Sequence, residues 1–325
     1  MSASCQSATF ATQQNSRYSI TSSAVNNSLD GISTPKAFAV LELMASSNLV
    51  GCTTNGLSKA LGQSVIVESK AGASGTTAAA LVARAAPDGY TLMVIPSGHA
   101  TTAATFAKLP YRSIDDFTMI SIASEYPYVM VTNPASGIQS VAELISTARS
   151  RTEPLLYGTP GTGSGPHLAI ELFALKTKIK VLHVPYRGSA PAVTELVGGR
   201  LDFMMDPPAS LIPLVRDGRL RALAVSSEKH YFALPDTPTV AESGLPGFKI
   251  IGWQGLIGPA GLPDAILRRL NTEVVRILNE PATAELFRPF GNEPAPTSPE
   301  EFKRRLAADI AIWQTLADEI HFVRI

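Results

Sequence analysis

Short apolar segments alternate with helical segments from residue 64 onward, and this alternation limits the possible folds more than any other feature. The first round contains a strand at Ser64–Glu68, a glycine-rich loop at Lys70–Thr77, a helix at Ala78–Ala86 and a strand at Thr91–Ile95. Strand, helix and strand in this order, joined by short loops, are typical of a parallel sheet covered by helices. The sequence therefore predicts an α/β fold.

A second round of the same pattern predicts a second α/β unit. A return segment at Lys249–Gly258 then leads into two C-terminal helices. Pro263 opens the helix Asp264–Leu278, and the N-cap residue Ser298 opens a helix that runs to Asp318. The chain of 325 residues has room for about two domains at roughly 150 residues each. The elements of the second round are Tyr128–Thr132, Val141–Arg149, Leu155–Gly158, Pro166–Leu175, Lys180–Val184, Ala190–Gly198, Leu201–Met205, Ser210–Asp217 and Ala222–Ser226.

Charge and composition exclude several classes of function. The 27 basic and 27 acidic residues cancel, so no basic surface for nucleic acid or for a membrane is expected. Only Cys5 and Cys52 could supply thiolates, and no cofactor is predicted. No apolar run approaches the roughly 18 residues of a transmembrane helix, and no signal peptide is visible. Residues 1–33 are rich in Ser, Thr, Asn and Gln, and we expect a disordered or spurious extension there.

The most informative segment is Tyr157–His167 (YGTPGTGSGPH), which lies between a predicted strand and a predicted helix. Gly161 and Gly163 allow the backbone to bend and to approach a ligand closely. The following helix begins at Pro166, so free N–H groups and the positive end of the helix dipole face the loop. This chemistry suits a carboxylate or a phosphate, and a plain turn between strand and helix is the alternative. Three hydroxyl groups add possible donors: those of Thr159, Thr162 and Ser164.

Motifs for other chemistry are missing from this loop. Its glycine spacing does not match G-x-G-x-x-G and no G-K-[ST] follows, so a nucleotide is not expected. No G-x-S-x-G nucleophile elbow is present either. Ser164 and His167 are close in sequence without an orienting acid, and a Ser/His-dependent hydrolase or transferase stays an alternative function. His99 and His167 have no Asp, Glu or His at metal-ligand spacing, so no metal site is expected.

Further candidates follow other predicted strands. Ser97–Thr102 (SGHATT) offers either a second set of donors or a simple turn and N-cap. In PYRGSA, Arg187 could pair with a carboxylate and Gly188 could offer an N–H, or the arginine could be solvated. Asp206 could hold an amino group, a water or a loop. Trp253 could line a cleft, but packing in the protein interior is the favoured interpretation.

Eight segments in the same order resemble the substrate-binding receptors of tripartite tricarboxylate transporters, the TctC or Bug-like family. They cover about Leu57 to Trp313, most of the chain, and the ordered set is specific although each segment alone is weak. The segments are LSKALGQSVIVESKAGASGTTAAALVARAAPDGYTLMV, KLPYRSIDDFT, YGTPGTGSGPHLAIELF, VPYRGSAPAVTELVGGRLDFMMD, GRLRALAVSS, ALPDTPTVAESGLPGF, GWQGLIGPAGLP and RLNTEVVRIL.

The resemblance implies a type II periplasmic-binding-protein fold, in which two α/β lobes are joined by two crossover strands. Lobe 1 would comprise residues 34–126 and 249–325, and lobe 2 residues 127–248. Such a receptor is not an enzyme; it is a periplasmic monomer that captures a small carboxylate and delivers it to a membrane permease. The candidate ligand-binding residues are Ser97, His99, Thr102, Thr159, Gly161, Thr162, Gly163, Ser164, His167, Tyr186, Arg187, Gly188 and Asp206.

The chain departs from the family pattern near its N-terminus. Family members have an apolar strand followed by a proline- and glycine-rich ligand loop, and that loop motif is missing here. Ala37–Leu43 is predicted to take the place of the strand, Asn48–Leu61 that of the first helix, and Met44–Asn48 that of one wall of the site. A non-functional fusion product with a defective first lobe is therefore a second alternative.

Overall fold

In the computed structural model of this chain, residues 38–42, 56–70 and 73–325 can be described. The predictions for residues 1–33 and for Met44–Asn48 lie outside these ranges. The strands are, in chain order, β1 Phe38–Glu42, β2 Val65–Ser69, β3 Thr91–Pro96, β4 Phe117–Pro127, β5 Val129–Thr132, β6 Leu155–Thr159, β7 Val181–Pro185, β8 Phe203–Asp206, β9 Arg221–Val225, β10 Ile251–Pro259 and β11 Glu293–Pro294.

Helices separate most of these strands. None of those described combines the length and the apolar character needed to cross a membrane. The helices are α1 at residues 56–61, α2 Thr76–Ala83, α3 Gly98–Thr105, α4 Val141–Ser150, α5 Gly165–Thr177, α6 Ser189–Val197, α7 Pro208–Arg216, α8 Asp264–Leu278, α9 Pro281–Phe287 and α10 Pro299–Glu319.

The strands form two sheets. The first has the order β11-β4-β10-β3-β1-β2, and the second has the order β7-β6-β8-β5-β9. In the first sheet β1 pairs in parallel with both β2 and β3, whereas β10 runs antiparallel to β3 and β4. In the second sheet β6 is parallel to β7 and β8, so the loops that follow these three strands lie at the same edge. The two α/β units that the sequence predicts are confirmed.

The chain passes between the two sheets twice, and the two passages are hydrogen-bonded to each other. Tyr128 links β4 to β5, and residues 226–250 link β9 to β10. The Ser226 N–H donates to the Tyr128 carbonyl at 3.0 Å, and the Tyr128 N–H donates to the Ser226 hydroxyl oxygen at 2.8 Å. The Ser226 hydroxyl in turn donates to the Ile250 carbonyl at 2.5 Å. Ser226 therefore joins both connections at the junction of the sheets.

Trp253 is packed in the interior next to this junction, as the sequence interpretation favoured. Its side chain is fully buried, and its ring meets Phe302 of α10 edge to face at 5.2 Å between centroids. The indole Nε1–H donates to Oδ2 of Asp309 at 2.7 Å, which satisfies the only polar group of the buried ring. This contact fixes α10 against β10.

Most predicted elements are confirmed within a few residues. The strand predicted at Ala37–Leu43 is β1, and residues 56–61 of the predicted first helix are helical; residues 48–55 lie outside the described ranges. The helix predicted at Ala78–Ala86 was too long. It ends at Ala83, because the residue before a proline is disfavoured in the α conformation and Pro87 stands close behind.

Ser298 caps α10 as predicted. Its hydroxyl oxygen accepts from the Glu301 N–H at 3.2 Å, and the Glu301 carboxylate accepts from the Ser298 N–H at 3.0 Å, which together form a capping box. We expect Ser298→Ala to lower the free energy of unfolding by about 1 kcal/mol, measured by urea denaturation. Thr315→Ala, on the exposed part of the same helix, is the control and should be neutral or slightly stabilising. Equal losses in both variants would contradict the capping role.

Candidate functional site

The loop after β6 folds back on itself through its own hydroxyl groups. The Thr159 hydroxyl donates to the Gly161 carbonyl at 3.1 Å, and the Ser164 hydroxyl donates to the same carbonyl at 2.7 Å. Ser164 is also the N-cap of α5, since its hydroxyl oxygen accepts from the His167 N–H at 3.4 Å. Within the described ranges, the N–H groups of Thr162 and Gly165 have no hydrogen-bond partner. Two donors at the positive end of α5 are therefore available to an anion.

His167 fixes the shape of this loop from behind. Its Nδ1 accepts a hydrogen bond from the Gly163 N–H at 2.9 Å, so the proton of the neutral ring lies on Nε2. Burial, together with the smaller effect of the neighbouring His183 ring, lowers the pKa of His167 to about 3. A neutral His167 is required here, because a proton on Nδ1 would face the Gly163 N–H.

Behind His167 lies a cluster of aromatic side chains and one carboxylate, in which Tyr157 is buried and His183 and Glu171 are partly buried. The rings of His167 and His183 stack at 3.8 Å, and the His183 ring stacks on Tyr157 at 5.1 Å. The Tyr157 hydroxyl donates to the Glu171 carboxylate, and Nε2 of His183 is hydrogen-bonded to the Thr159 hydroxyl at 2.6 Å. Burial lowers the pKa of His183 to about 4 and raises that of Tyr157. The cluster supports the loop and is not part of a catalytic dyad, because the Ser164 hydroxyl bonds to the backbone.

Residues 186–188 are attached to the same loop. The Tyr186 N–H donates to the Thr159 carbonyl at 3.0 Å, and the Gly188 N–H donates to the Pro160 carbonyl at 3.2 Å. Gly188 has φ of 114°, a conformation that side chains disfavour. The Arg187 side chain is exposed. The Gly188 N–H, predicted as a ligand donor, is thus already used by the protein, whereas the Arg187 side chain has no ion-pair partner among the described residues.

The first sheet contributes Ser97, at the start of α3. Its N–H donates to the Trp253 carbonyl at 2.7 Å, and its hydroxyl lies close to the Tyr126 and Tyr128 side chains. The Tyr128 hydroxyl also touches Gly165 of α5, where a Cβ atom would overlap it. The two tyrosines therefore connect the helix starts of both sheets. The sequence interpretation missed them, although a spacing of two residues in extended backbone places both side chains on the same face.

His99 and Thr102 lie apart from these groups. The His99 ring stacks on Tyr111 at 5.6 Å, and its Nε2 is hydrogen-bonded to the Ser113 carbonyl at 3.0 Å. Burial lowers the pKa of His99 to about 4. The Thr102 hydroxyl donates to the His99 carbonyl at 3.0 Å. Both side chains thus contact the interior of α3 and its neighbours, and the structure does not bring them together with the loop after β6.

Asp206 ends β8 and is completely buried. Its Oδ2 accepts from the Ser210 hydroxyl at 2.7 Å. Burial raises the pKa of Asp206 to about 6, and the hydroxyls of Ser189 and Ser210 limit the rise. Its Oδ1 has no hydrogen-bond partner among the described residues.

A cavity of about 300 Å³ opens beside the junction of the sheets, on the side of α10. Ser97, Tyr128 and Gly165 form one end, and α10 contributes Asp309 and Trp313 to the opposite wall. The described part of the chain contains no cluster of three or more His, Cys, Asp or Glu side chains that could hold a metal ion. Lys249 and Arg305 also line the cavity, so cationic side chains stand beside the hydroxyl groups of Ser97 and Tyr128.

A family model for the tripartite tricarboxylate transporter family receptor matches residues 50–322. The chain belongs to this family. The match covers most of the chain, including α10, the loop after β6 and every described strand except β1. Family members are substrate-binding receptors of the periplasm and not enzymes, so the hydrolase or transferase alternative is rejected.

Three solved structures support the same conclusion. Rpa4515 of R. palustris, solved with adipate, is 34% identical, with a TM-score of 0.82 over 87% of this chain and 97% of that one. MatC from Rhodopseudomonas palustris, solved with bound malate, is 30% identical, with a TM-score of 0.79 over 87% and 99%. The periplasmic binding protein BugD is 25% identical, with a TM-score of 0.80 over 89% and 99%. The predicted periplasmic-binding-protein fold is thus confirmed.

Proposed function

We propose that this receptor captures a small carboxylate between two lobes by closing them on it. Lobe 1 would consist of residues 34–126 and 249–325, and lobe 2 of residues 127–248. The ligand would contact both lobes at the starts of α3 and α5. Delivery to the permease of a tripartite tricarboxylate transporter, action in the periplasm and a monomeric state complete the proposal.

The free N–H groups of Thr162 and Gly165 carry this proposal. They lie at the positive end of α5, where a negative charge is stabilised without a salt bridge. The Thr162 hydroxyl and the Arg187 side chain are further groups that suit a carboxylate. The adipate bound to Rpa4515 and the malate bound to MatC agree with a carboxylate ligand for this chain.

A defective first lobe is the competing proposal. The position of β1 argues against it, because this strand pairs with β2 on one side and β3 on the other in parallel register. A strand with partners on both sides contributes hydrogen bonds to two neighbours, so the unusual sequence around it still completes the sheet.

Isothermal titration calorimetry with matched ligand pairs tests the proposed function. Each carboxylate is paired with its neutral amide: adipate with adipamide, succinate with succinamide and nicotinate with nicotinamide. We expect at least one carboxylate to bind about tenfold or more tightly than its amide, because the amide lacks the charge that the α5 donors stabilise. Folded protein that binds no member of the panel, or that binds acid and amide equally, would contradict the proposal.

A further inference from the structure

Among the side chains that the structure describes, Oδ1 of Asp206 stands out as a buried oxygen without a hydrogen-bond partner. Buried polar atoms are almost always paired, since an unpaired one loses its contact with water and gains nothing in return. The other oxygen of the same carboxylate is bonded to Ser210. Asp206 is therefore held in place by one oxygen and presents the other.

The neighbours of Asp206 place its carboxylate close to the proposed ligand site. Asp206 pairs with Val129 in the second sheet, directly after Tyr128 at the junction. The hydroxyl of Ser189, the first residue of α6 after Gly188, lies close to its carboxylate. Burial raises the pKa of Tyr126 and of Tyr128, and the nearby charge of Asp206 adds to the rise; both side chains lie close to Ser97. Asp206 thus lies where the helix starts of both sheets meet.

We propose that Oδ1 of Asp206 accepts a hydrogen bond from a hydroxyl or ammonium group of the ligand, so that the preferred ligand is a carboxylate that also carries such a donor. This inference rests on the proposed function and narrows its ligand class. A ligand with a donor would satisfy the free oxygen on closure. A plain dicarboxylate has no such donor and would leave the oxygen unpaired.

The α5 donors and Asp206 would then have separate roles. The free N–H groups would hold a carboxylate of the ligand, whereas Asp206 would distinguish between ligands with the same carboxylates. Removal of a donor from the ligand leaves a buried acceptor in the protein unpaired, and sites that recognise polar groups reject such analogues strongly.

Two series of ligands with equal chain length test the inference by calorimetry: succinate, malate and aspartate, and adipate, 2-hydroxyadipate and 2-aminoadipate. In each series that binds, we expect the hydroxylated or the aminated member to bind at least tenfold more tightly than the plain dicarboxylate. The member with the larger gain in affinity over the plain dicarboxylate identifies the donor as a hydroxyl or as an ammonium group.

The variant Asp206→Asn supplies the second measurement. Its amide oxygen can still accept from Ser210, but an NH₂ group then replaces the free acceptor. We expect the preference over the plain dicarboxylate to fall to less than threefold, while the plain dicarboxylate keeps or gains affinity. Asp217→Asn, on the exposed end of α7, is the matched control and should keep the preference.

The outcomes separate this inference from the proposed function. Binding of plain dicarboxylates as tight as that of the substituted ones, or a preference that survives in Asp206→Asn, would overturn the inference and leave the receptor function standing. That result would assign the free oxygen to an ordered water. Binding of no carboxylate of either series by folded protein would instead contradict the proposed function itself.

Discussion

Replacement of Gly163 by alanine is expected to weaken ligand binding at least tenfold, about 1.4 kcal/mol in binding free energy. A Cβ atom at this position would come within 2.5 Å of the Thr105 hydroxyl oxygen and 3.1 Å of the Thr105 Cβ. Gly163 belongs to the loop after β6 in the second sheet, whereas Thr105 ends α3 beside the first. The added methyl group would therefore push the loop before α5 away from the end of α3, and so separate the two helices at whose starts the ligand is proposed to bind.

An alanine at position 163 would also strain the backbone, and a control variant separates this strain from the effect on binding. Gly163 has φ of 75°, where an alanine is strained by about 1–2 kcal/mol. Gly137 has φ of 76°, and nothing lies within 4 Å of the place of its Cβ. Gly137→Ala should therefore show the same loss of stability from strain without the loss of affinity, when both are measured by thermal unfolding and calorimetry.

Thr105→Ala provides a rescue of the same defect. It removes the hydroxyl oxygen that the new methyl group would overlap and leaves only the Cβ contact at 3.1 Å. We expect Gly163→Ala with Thr105→Ala to recover most of the affinity that Gly163→Ala loses. Equal affinities of Gly163→Ala and Gly137→Ala, or a double variant no better than Gly163→Ala, would show that this contact does not govern closure.

The C-terminal residues contact α3 and α5 close to Gly163 and Thr105. The Ile325 N–H donates to the Thr105 carbonyl at 3.0 Å, and the Ile325 carbonyl accepts from the Ala107 N–H at 2.7 Å. Phe322 packs against the His167 ring at 5.6 Å between centroids. The end of the chain thus touches α3 on one side and α5 on the other, so the loop after β6 is supported from the end of the chain as well as by His167.

The sequence predicted those strands and helices whose formation depends mainly on residues close to one another in the chain. The short strand β6 and the N-cap residue of α10 can both be recognised from a few consecutive residues. Strand β4 was missed, because Ser121 and Ser124 interrupt its apolar run. Both are fully buried, and their hydroxyls are bonded to Ile122 and Asn292; the Thr297 N–H also donates to Ser121. Partners some 170 residues away satisfy these serines, and no short window contains them.

The candidate site was predicted in the same uneven way. The loop after β6 was recognised because glycines, hydroxyl residues and a helix start coincide in eleven residues. The roles of its individual groups depend on contacts between distant segments: Gly188 uses its N–H within the protein, and His99 packs on Tyr111. Tyr126 and Tyr128 gain their importance only because Ser97 and Gly165 from different sheets meet them. Sequence spacing alone carries no such information.

Acidification from pH 7 to 5.5 is expected to lower the free energy of unfolding by about 3 kcal/mol. Burial lowers the pKa of His99 and His183 to about 4 and that of His167 to about 3, whereas a histidine of the unfolded chain has its pKa near 6.5. As the pH falls through 6.5, protons bind the unfolded chain and not the folded one, so each of the three rings contributes about 1.2 kcal/mol to the loss.

Asp206 acts in the opposite direction and sets the size of the net effect. Its pKa is about 6 in the folded protein and near 3.9 when unfolded, so the folded state takes up a proton first and regains somewhat less than about 1 kcal/mol by pH 5.5. The histidines therefore dominate, because three rings titrate against one carboxylate.

Urea denaturation at pH 7 and 5.5 measures the difference, and His99→Gln, which keeps a donor for the Ser113 carbonyl, should reduce the pH dependence by about a third. A free energy of unfolding that is equal at both pH values, or a slope unchanged in His99→Gln, would mean that these rings are already solvated in the native receptor.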